Sequence, residues 1–235
     1  MNLWQNKAAK DMKDLINSLM KIKSIEITGS MLNQDLLDVF SDIDMNIYLS
    51  DNTAVDIEYF FKQIEKQFGF IFGYQILNND NKETLRICLD NGWRFDLTFI
   101  YPKKKTLRYD ENLFVDKIKN VINEFWFISV LAMVKLGRRD NLVAAHLVLE
   151  LCQLNIVIQM ILRDNKKGSN IHRFGDKEDV PILKSLIELK ENSIENEILS
   201  ILYQAAEHME NLSTPFINKT DKKAKLHEMQ YLFIT

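Results

Sequence analysis

Residues 25–49 read IEITGSMLNQDLLDVFSDIDMNIYL: an apolar strand, a Gly-Ser turn, a polar loop and a second strand that opens with two alternate carboxylates. Because side chains alternate between the two faces of a strand, Asp42 and Asp44 share one face and the intervening apolar residues share the other. Carboxylates are poorly suited to a core, but on a polar sheet face they are good ligands for a hard cation. The stretch therefore predicts strands at 24–28 and 43–49 and a metal site where the second begins.

A third acid stands in a later strand with the same alternation. Residues 84–102, TLRICLDNGWRFDLTFIYP, contain a hairpin signal, Asp90-Asn91-Gly92, between two apolar runs. Asp96 alternates with apolar neighbours in the second run, although aspartate is depleted in strands. If the strands lie side by side, Asp96 can converge with Asp42 and Asp44 on one or two Mg²⁺ ions.

Nucleotidyl transfer is a reaction that uses such a trio of acids. A hydroxyl attacks the α-phosphate of a nucleoside triphosphate, pyrophosphate leaves, and the anionic reacting centre needs charge neutralisation and in-line geometry. Gly29 lets the backbone approach the phosphates, and the Gly29 and Ser30 amides with the Ser30 hydroxyl can bind phosphate oxygens. Asp96 either accepts the proton of the attacking hydroxyl or holds a metal, and the sequence leaves both roles open.

An EF-hand loop is the obvious alternative for the paired acids. Asp42-x-Asp44-x-Asn46 begins like one, but that pattern requires glycine at its sixth position and glutamate at its twelfth. Ile47 and Thr53 occupy these positions, which excludes the loop. The full order of strand, Gly-Ser turn, paired acids and later acid favours a metal-nucleotide site.

The composition is that of an ordinary soluble chain. Its 235 residues are 46% hydrophobic and 27% charged, enough for one large domain or two small ones. A net charge of −3 provides no basic field, so nucleic acid is not expected as a partner. Cys88 and Cys152 lie in apolar segments and are predicted to be reduced core residues of a cytoplasmic protein. The first residues do not resemble a signal peptide, and no uncharged apolar run approaches the ~18 residues of a membrane span.

The periodicity divides the chain into two parts, a nucleotidyltransferase domain at 1–108 and a helical substrate-binding domain at 109–235. The expected fold is α+β, with a mixed sheet in an α/β first domain, an all-helical second domain and a ligand cleft between them. In the first domain we expect helices near 5–22 and 55–68 and further strands at 70–77, 84–89 and 93–100. In the second we expect helices at 112–136, 140–164, from Asp179-Val180-Pro181 onward, 194–211 and 219–233.

The motifs also resemble a known family. Gly29-Ser30 with Asp42-x-Asp44 and Asp96 is similar to the nucleotidyltransferase pattern of the DNA polymerase β superfamily. A fuller resemblance, over about residues 5–165, is to the aminoglycoside 6-adenylyltransferases, the streptomycin adenylyltransferase family. It is carried by Ser41-Asp42-Ile43-Asp44, Arg94-Phe95-Asp96-Leu97-Thr98-Phe99, Asn123-Glu124-Phe125-Trp126 and Val134-Lys135-Leu136-Gly137-Arg138-Arg139-Asp140-Asn141.

The resemblance implies ATP as donor, Mg²⁺ as cofactor and a hydroxyl of an antibiotic, or of a similar small molecule, as acceptor. It makes Asp42 and Asp44 metal ligands and Asp96 the third acid of the catalytic site. The same resemblance implies roles for four residues of the helical domain. Lys135 and Arg139 would meet the triphosphate, and Glu124 and Trp126 would face the substrate cleft.

The sequence departs from the family at Met31, where a basic residue usually follows Gly-Ser, and this leaves streptomycin itself in question as the acceptor. Other acceptors are a lincosamide, another small molecule or a macromolecule, and a catalytically retired nucleotide-binding protein is the remaining alternative. Trp126 also fits a helix core, and Lys135 and Arg139 also fit a helix C-terminus, where cations are favoured. The oligomeric state, monomer or homodimer, and the donor base stay open.

Overall fold

The protein is described here by a computed structural model over residues 4–32, 37–79, 81–103, 114–167, 193–217 and 221–234. Over these ranges it contains five strands and six α-helices, and the chain forms two compact units, Met1–Glu111 and Asn112–Thr235. The sheet is mixed, so the predicted α+β class is confirmed.

The first unit contains all of the predicted strands and helices of its half, with ends that differ from the expectation by at most three residues. The elements are α1 (Trp4–Leu19), β1 (Ile22–Thr28), β2 (Ile43–Leu49), α2 (Ile57–Phe68), β3 (Ile71–Asn79), β4 (Lys82–Leu89) and β5 (Arg94–Ile100). The sheet has the order β1-β2-β5-β4-β3, in which β2 and β5 are parallel and every other neighbouring pair is antiparallel.

One face of this sheet is the core face. Along β2 the side chains alternate strictly between buried apolar residues and half-buried polar ones, as the sequence predicts. The apolar side chains of β2, β4 and β5 form one buried cluster with those of α1 and α2. Burying each of these large side chains stabilises the fold by about 1.5–3 kcal/mol. The opposite face carries Asp44 and Asn46 of β2 and Asp96 and Thr98 of β5, so this is where the predicted acids of the two strands stand.

The β4–β5 hairpin closes at the predicted turn. Gly92 has a φ of 82°, a left-handed conformation that glycine adopts without strain, and its amide donates to the Leu89 carbonyl at 3.0 Å. The turn fixes the register of β4 against β5, so it also determines which residue of β4 lies beside Asp96.

The second unit is helical in its described residues. It contains α3 (Phe114–Gly137), α4 (Asn141–Lys167), α5 (Ile194–Ser213) and α6 (Lys222–Phe233), each at a predicted position. Asn155 links two of these helices, because its Nδ2 donates to the Ala205 carbonyl at 3.1 Å. The helix expected from Asp179 onward lies outside the described residues. Cys88 and Cys152 are buried free thiols, as expected for core cysteines.

Among the described residues of this unit, two helices are long and apolar enough to cross a membrane by length and composition alone. They are Ile118–Gly137, of which 61% is buried inside the protein, and Asn141–Arg163, of which 28% is buried. Core helices of soluble proteins meet the same criterion, so the finding does not establish a membrane span.

Candidate functional site

The strand register brings the predicted acids together. Asp44 of β2 lies directly beside Asp96 of β5 in the parallel pair, so both side chains stand on the polar face. The row continues on both sides, with Thr28 opposite Asp44, Arg86 opposite Asp96 and Gln75 opposite Arg86. We call Thr28, Asp44, Asp96, Arg86 and Gln75 the polar row. It crosses all five strands, and its two acids are adjacent.

The third acid, Asp42, stands just before β2 at the end of the described loop segment 37–42. Asp38 and Ser41 form a reciprocal pair within this loop: the Ser41 hydroxyl donates to Asp38 Oδ1 at 2.8 Å, and the Asp38 amide donates to Ser41 Oγ at 3.1 Å. Buried Gln5 of α1 donates from Nε2 to the carbonyls of both residues, at 2.7 and 3.1 Å. These bonds fix the chain direction where it enters β2 and so place Asp42.

Two arginines accompany the acids. Arg86 Nε donates to Asp96 Oδ2 at 2.9 Å. Arg94 lies 3.8 Å from Asp42 between Nη1 and Oδ2, and its Nη2 donates to the Phe40 carbonyl in a short hydrogen bond. Arg94 is only 6% exposed, so it anchors the loop as well as balancing the charge of Asp42.

The electrostatics show that the three carboxyl groups act on one another. The pKa of Asp44 is raised from 3.8 to about 6, first by burial and then by the negative charges of Asp42 and Asp96. Burial also raises the pKa of Asp96, while the Arg86 guanidinium opposes this effect. A cation placed among these groups would favour their charged forms.

The Gly29-Ser30 turn lies against Asp44. Gly29 has a φ of 67°, and a Cβ placed on it would overlap the Asp44 carboxylate, with its Cγ only 2.8 Å away. Only glycine fits here, because the backbone and the carboxylate share the space that a side chain needs. Ser30 Oγ is buried without a hydrogen-bond partner in the described residues, so it is available to a ligand oxygen.

The acids of this face have the chemistry of ligands for a divalent cation. Asp42, Asp44 and Asp96 supply carboxylate oxygens, and Asp96 Oδ1 is buried without a hydrogen-bond partner in the described part of the chain. No group of three or more His, Cys, Asp or Glu side chains within the described ranges is arranged to hold an ion as it stands.

Lys135 lies in the last turn of α3, and Arg139 lies in the connection between α3 and α4. The Asp140 amide donates to the Lys135 carbonyl at 2.8 Å and the Arg139 amide to the Leu136 carbonyl at 2.9 Å, which is the Schellman pattern of a helix end. Arg139 adopts a φ of 60°, a position that glycine usually occupies, and Lys135 Nζ lies 3.4 Å from Asp140 Oδ2. Both residues therefore help to end α3, whether or not they also contact phosphate.

Glu124 and Trp126 lie on α3 in different environments. Glu124 is half-buried, whereas Trp126 is fully buried and makes an edge-to-face contact with Phe125. The Nζ of Lys222 lies 5.7 Å from the centre of the Trp126 ring. Trp126 therefore has no exposed surface.

A cavity of about 360 Å³ lies elsewhere in the first unit. Its walls include Leu49, Asp51 and Tyr59, at the opposite end of β2 from Asp44, and none of the three acids lines it. We place the candidate site at the acids rather than in this cavity, because Asp96 Oδ1 and Ser30 Oγ are buried there without a hydrogen-bond partner in the described residues and the pKa values of Asp44 and Asp96 are raised.

The raised pKa of Asp44 predicts an unusual pH dependence of stability. A neutral Asp44 stabilises the fold fully below its unfolded pKa near 4, and this contribution is lost as the pH rises through about 6. Without metal, Asp44→Asn is expected to be more stable than the wild type at pH 8 by about 1–3 kcal/mol, with no difference near pH 4. Urea unfolding in EDTA between pH 4 and 8 measures this.

Asp51→Asn is the matched control for this measurement. A bond from Thr53 lowers the pKa of Asp51, so its charged form stabilises the fold and the variant should lose stability relative to the wild type at high pH. If both variants changed the free energy of unfolding in the same direction at pH 8, the raised pKa assigned to Asp44 would be wrong.

Comparison with known proteins adds only a fold-level likeness. The chain matches no protein-family model and no curated protein. Among solved structures, an aminoglycoside 6-adenyltransferase from Bacillus subtilis is similar over 100% of this chain and 99% of that one, at 14% sequence identity and a TM-score of 0.33. A likeness this weak is no basis for assigning an activity, and function depends on the residues of the site.

Proposed function

We propose that the protein is a Mg²⁺-dependent nucleotidyltransferase that moves a nucleoside monophosphate, AMP from ATP, onto a hydroxyl of an aminoglycoside-type small molecule and releases pyrophosphate. The observation that carries the proposal is the placement of Asp44 beside Asp96, with Asp42 two residues before Asp44 and the Gly29-Ser30 turn against the Asp44 carboxylate. Paired acids beside a turn that can bind phosphate suit metal-assisted phosphoryl chemistry.

The three acids and the Gly29-Ser30 turn each have a role in the proposed reaction. Asp42, Asp44 and Asp96 would hold Mg²⁺, which neutralises charge on the phosphates and aligns them. The amides of Gly29 and Ser30 and the Ser30 hydroxyl donate hydrogen bonds to phosphate oxygens. The acceptor oxygen forms a bond to the α-phosphorus as the bond to pyrophosphate breaks. Asp96 Oδ1, which has no hydrogen-bond partner in the described residues, is the atom available to take the acceptor proton or to hold the metal.

The helical unit enters the proposal on the sequence resemblance alone. Lys135 and Arg139 are the cations proposed for the triphosphate, and Glu124 is the acid proposed for a cationic acceptor. Trp126 is left out, because its side chain has no exposed surface.

Pyrophosphate release from ATP and Mg²⁺ across a panel of acceptors tests the proposal. The panel contains aminoglycosides, lincosamides and hydroxylated metabolites, and Asp96→Asn serves as the blank. We expect a signal with at least one aminoglycoside that is absent from the blank. A signal only with a lincosamide or another small molecule would keep the chemistry and change the acceptor.

Two outcomes would contradict the proposal. Equal signals from the wild type and the Asp96→Asn protein would remove the acids from the reaction. ATP that raises the melting temperature, with no product from any small molecule or from labelled ATP in a cell lysate, would indicate a nucleotide-binding protein without activity.

A further inference from the structure

Arg86 is a charged residue of the polar row to which the proposed reaction gives no role. It lies on β4 directly opposite Asp96, and its Nε donates to Asp96 Oδ2 at 2.9 Å. Its Nη1 donates to Gln75 Oε1 at 3.3 Å, so Gln75 on β3 holds the guanidinium from the other side. About 28% of the Arg86 side chain and 19% of the Asp96 side chain are exposed, so the pair is partly withdrawn from water.

The arrangement leaves the two oxygens of Asp96 with different partners. Oδ2 is engaged by Arg86, whereas Oδ1 is buried and unpartnered within the described residues. A guanidinium that binds one oxygen fixes the plane of the carboxylate, and the other oxygen then has a defined direction. The same positive charge also opposes the rise in the pKa of Asp44, so it offsets part of the repulsion that Asp44 meets from the other two acids.

We propose that Arg86 is the resident counter-charge of this site: it holds Asp96 through Oδ2, keeps the three acids together before a divalent cation arrives, and weakens cation binding in the absence of nucleotide. The inference rests on the proposed metal site and deepens it. Its consequence is that the cation enters together with the triphosphate, whose own negative charges offset the repulsion from Arg86, rather than staying bound to the free protein. Arg86 is thus a positioning residue and not a metal ligand.

Mn²⁺ alone is the probe that tests this inference, because free Mn²⁺ has an electron paramagnetic resonance signal that falls on binding. Removing a positive charge near a doubly charged ion strengthens its binding, so Arg86→Gln should bind Mn²⁺ about three- to tenfold more tightly than the wild type. Arg86→Lys keeps the charge and should stay within about twofold of the wild-type Kd. Without metal, Arg86→Gln should melt at a lower temperature than the wild type, and Mn²⁺ should raise its melting temperature by more.

Thr84→Val is the matched control on the same strand and face. Thr84 shares a 3.0 Å hydrogen bond with Thr98, so the variant loses a bond between β4 and β5 without a change of charge. Its Kd for Mn²⁺ should equal that of the wild type. If Arg86→Gln does not fold, Gln75→Leu loosens the guanidinium and should lower the Kd in the same direction by about twofold.

The outcomes separate this inference from the proposed function. An unchanged or higher Kd in Arg86→Gln, with binding by the wild type intact, would overturn the role of Arg86 and leave the metal site in place. If Arg86→Lys bound Mn²⁺ more tightly than the wild type and as tightly as Arg86→Gln, the positive charge of Arg86 could not be what weakens Mn²⁺ binding. No Mn²⁺ binding by the wild type or by Arg86→Gln would overturn the metal site itself.

Discussion

Asp44→Asn is expected to lower kcat for pyrophosphate release by about a thousandfold. The asparagine side chain has nearly the same shape, but it has no negative charge and is a poor ligand for Mg²⁺. Metal-assisted charge stabilisation is worth several kcal/mol in a transition state, and about 1.4 kcal/mol corresponds to a factor of ten in rate. The loss should fall on kcat more than on KM for ATP, since the missing interaction strengthens as charge develops on the phosphates.

Steady-state rates with the acceptor found in the panel measure this effect. Asp51→Asn is the control, because it makes the same chemical change two residues beyond the opposite end of β2 from the acids. We expect the control to keep the wild-type rate, and both variants should show the wild-type circular dichroism spectrum. If Asp44→Asn retained more than about a tenth of the wild-type kcat, the assignment of Asp44 to the reacting centre would be wrong.

The sequence predicts the acid pair because that prediction needs only local patterns. The two-residue period of β2 places Asp44 on the polar face, and the Asn91-Gly92 turn defines the hairpin that carries Asp96. That these strands are neighbours was a condition of the prediction, and the parallel pairing of β2 with β5 satisfies it.

Arg86 could not have been identified from the sequence in the same way. In the run TLRICL it reads as one polar residue on the solvent side of a strand, as in most half-buried sheets. The pairing of Arg86 with Asp96 depends on the register between β4 and β5, because a shift of one residue would point the Arg86 side chain to the other face. The turn at Gly92 determines this register, and the partner of Arg86 follows only once both strands are placed.

The helical unit shows a different limit of sequence patterns. Phe125, Trp126 and Phe127 are consecutive and all buried, so the helical period does not distinguish a core face from a ligand face. Arg139 is a second case, because nothing local marks a non-glycine residue for the left-handed position that ends α3. Charge and aromaticity alone therefore do not separate a structural role from a functional one in this unit.

Gly29→Ala is the second substitution with a large expected effect, and it should reduce both stability and turnover. The left-handed backbone costs a non-glycine residue about 1–2 kcal/mol, and overpacking against Asp44 adds about 1–3 kcal/mol. We expect a loss of about 2–5 kcal/mol in the free energy of unfolding, measured in urea without metal, and a fall in turnover because the Asp44 carboxylate must move. Gly92→Ala is the control, since its φ of 82° carries the same left-handed cost in a turn outside the site.

A double-mutant cycle separates the overlap from the backbone strain. In an Asp44→Ala background the carboxylate is gone, and the nearest remaining atom, the Asp44 Cβ, lies 3.3 Å from the position of the added methyl group. Gly29→Ala should then cost only the left-handed term of about 1–2 kcal/mol, which leaves a coupling of about 1–3 kcal/mol between the two positions. Additive effects would mean that the turn and the acid are independent, and the Gly-Ser turn could not then be the element that holds phosphate beside Asp44.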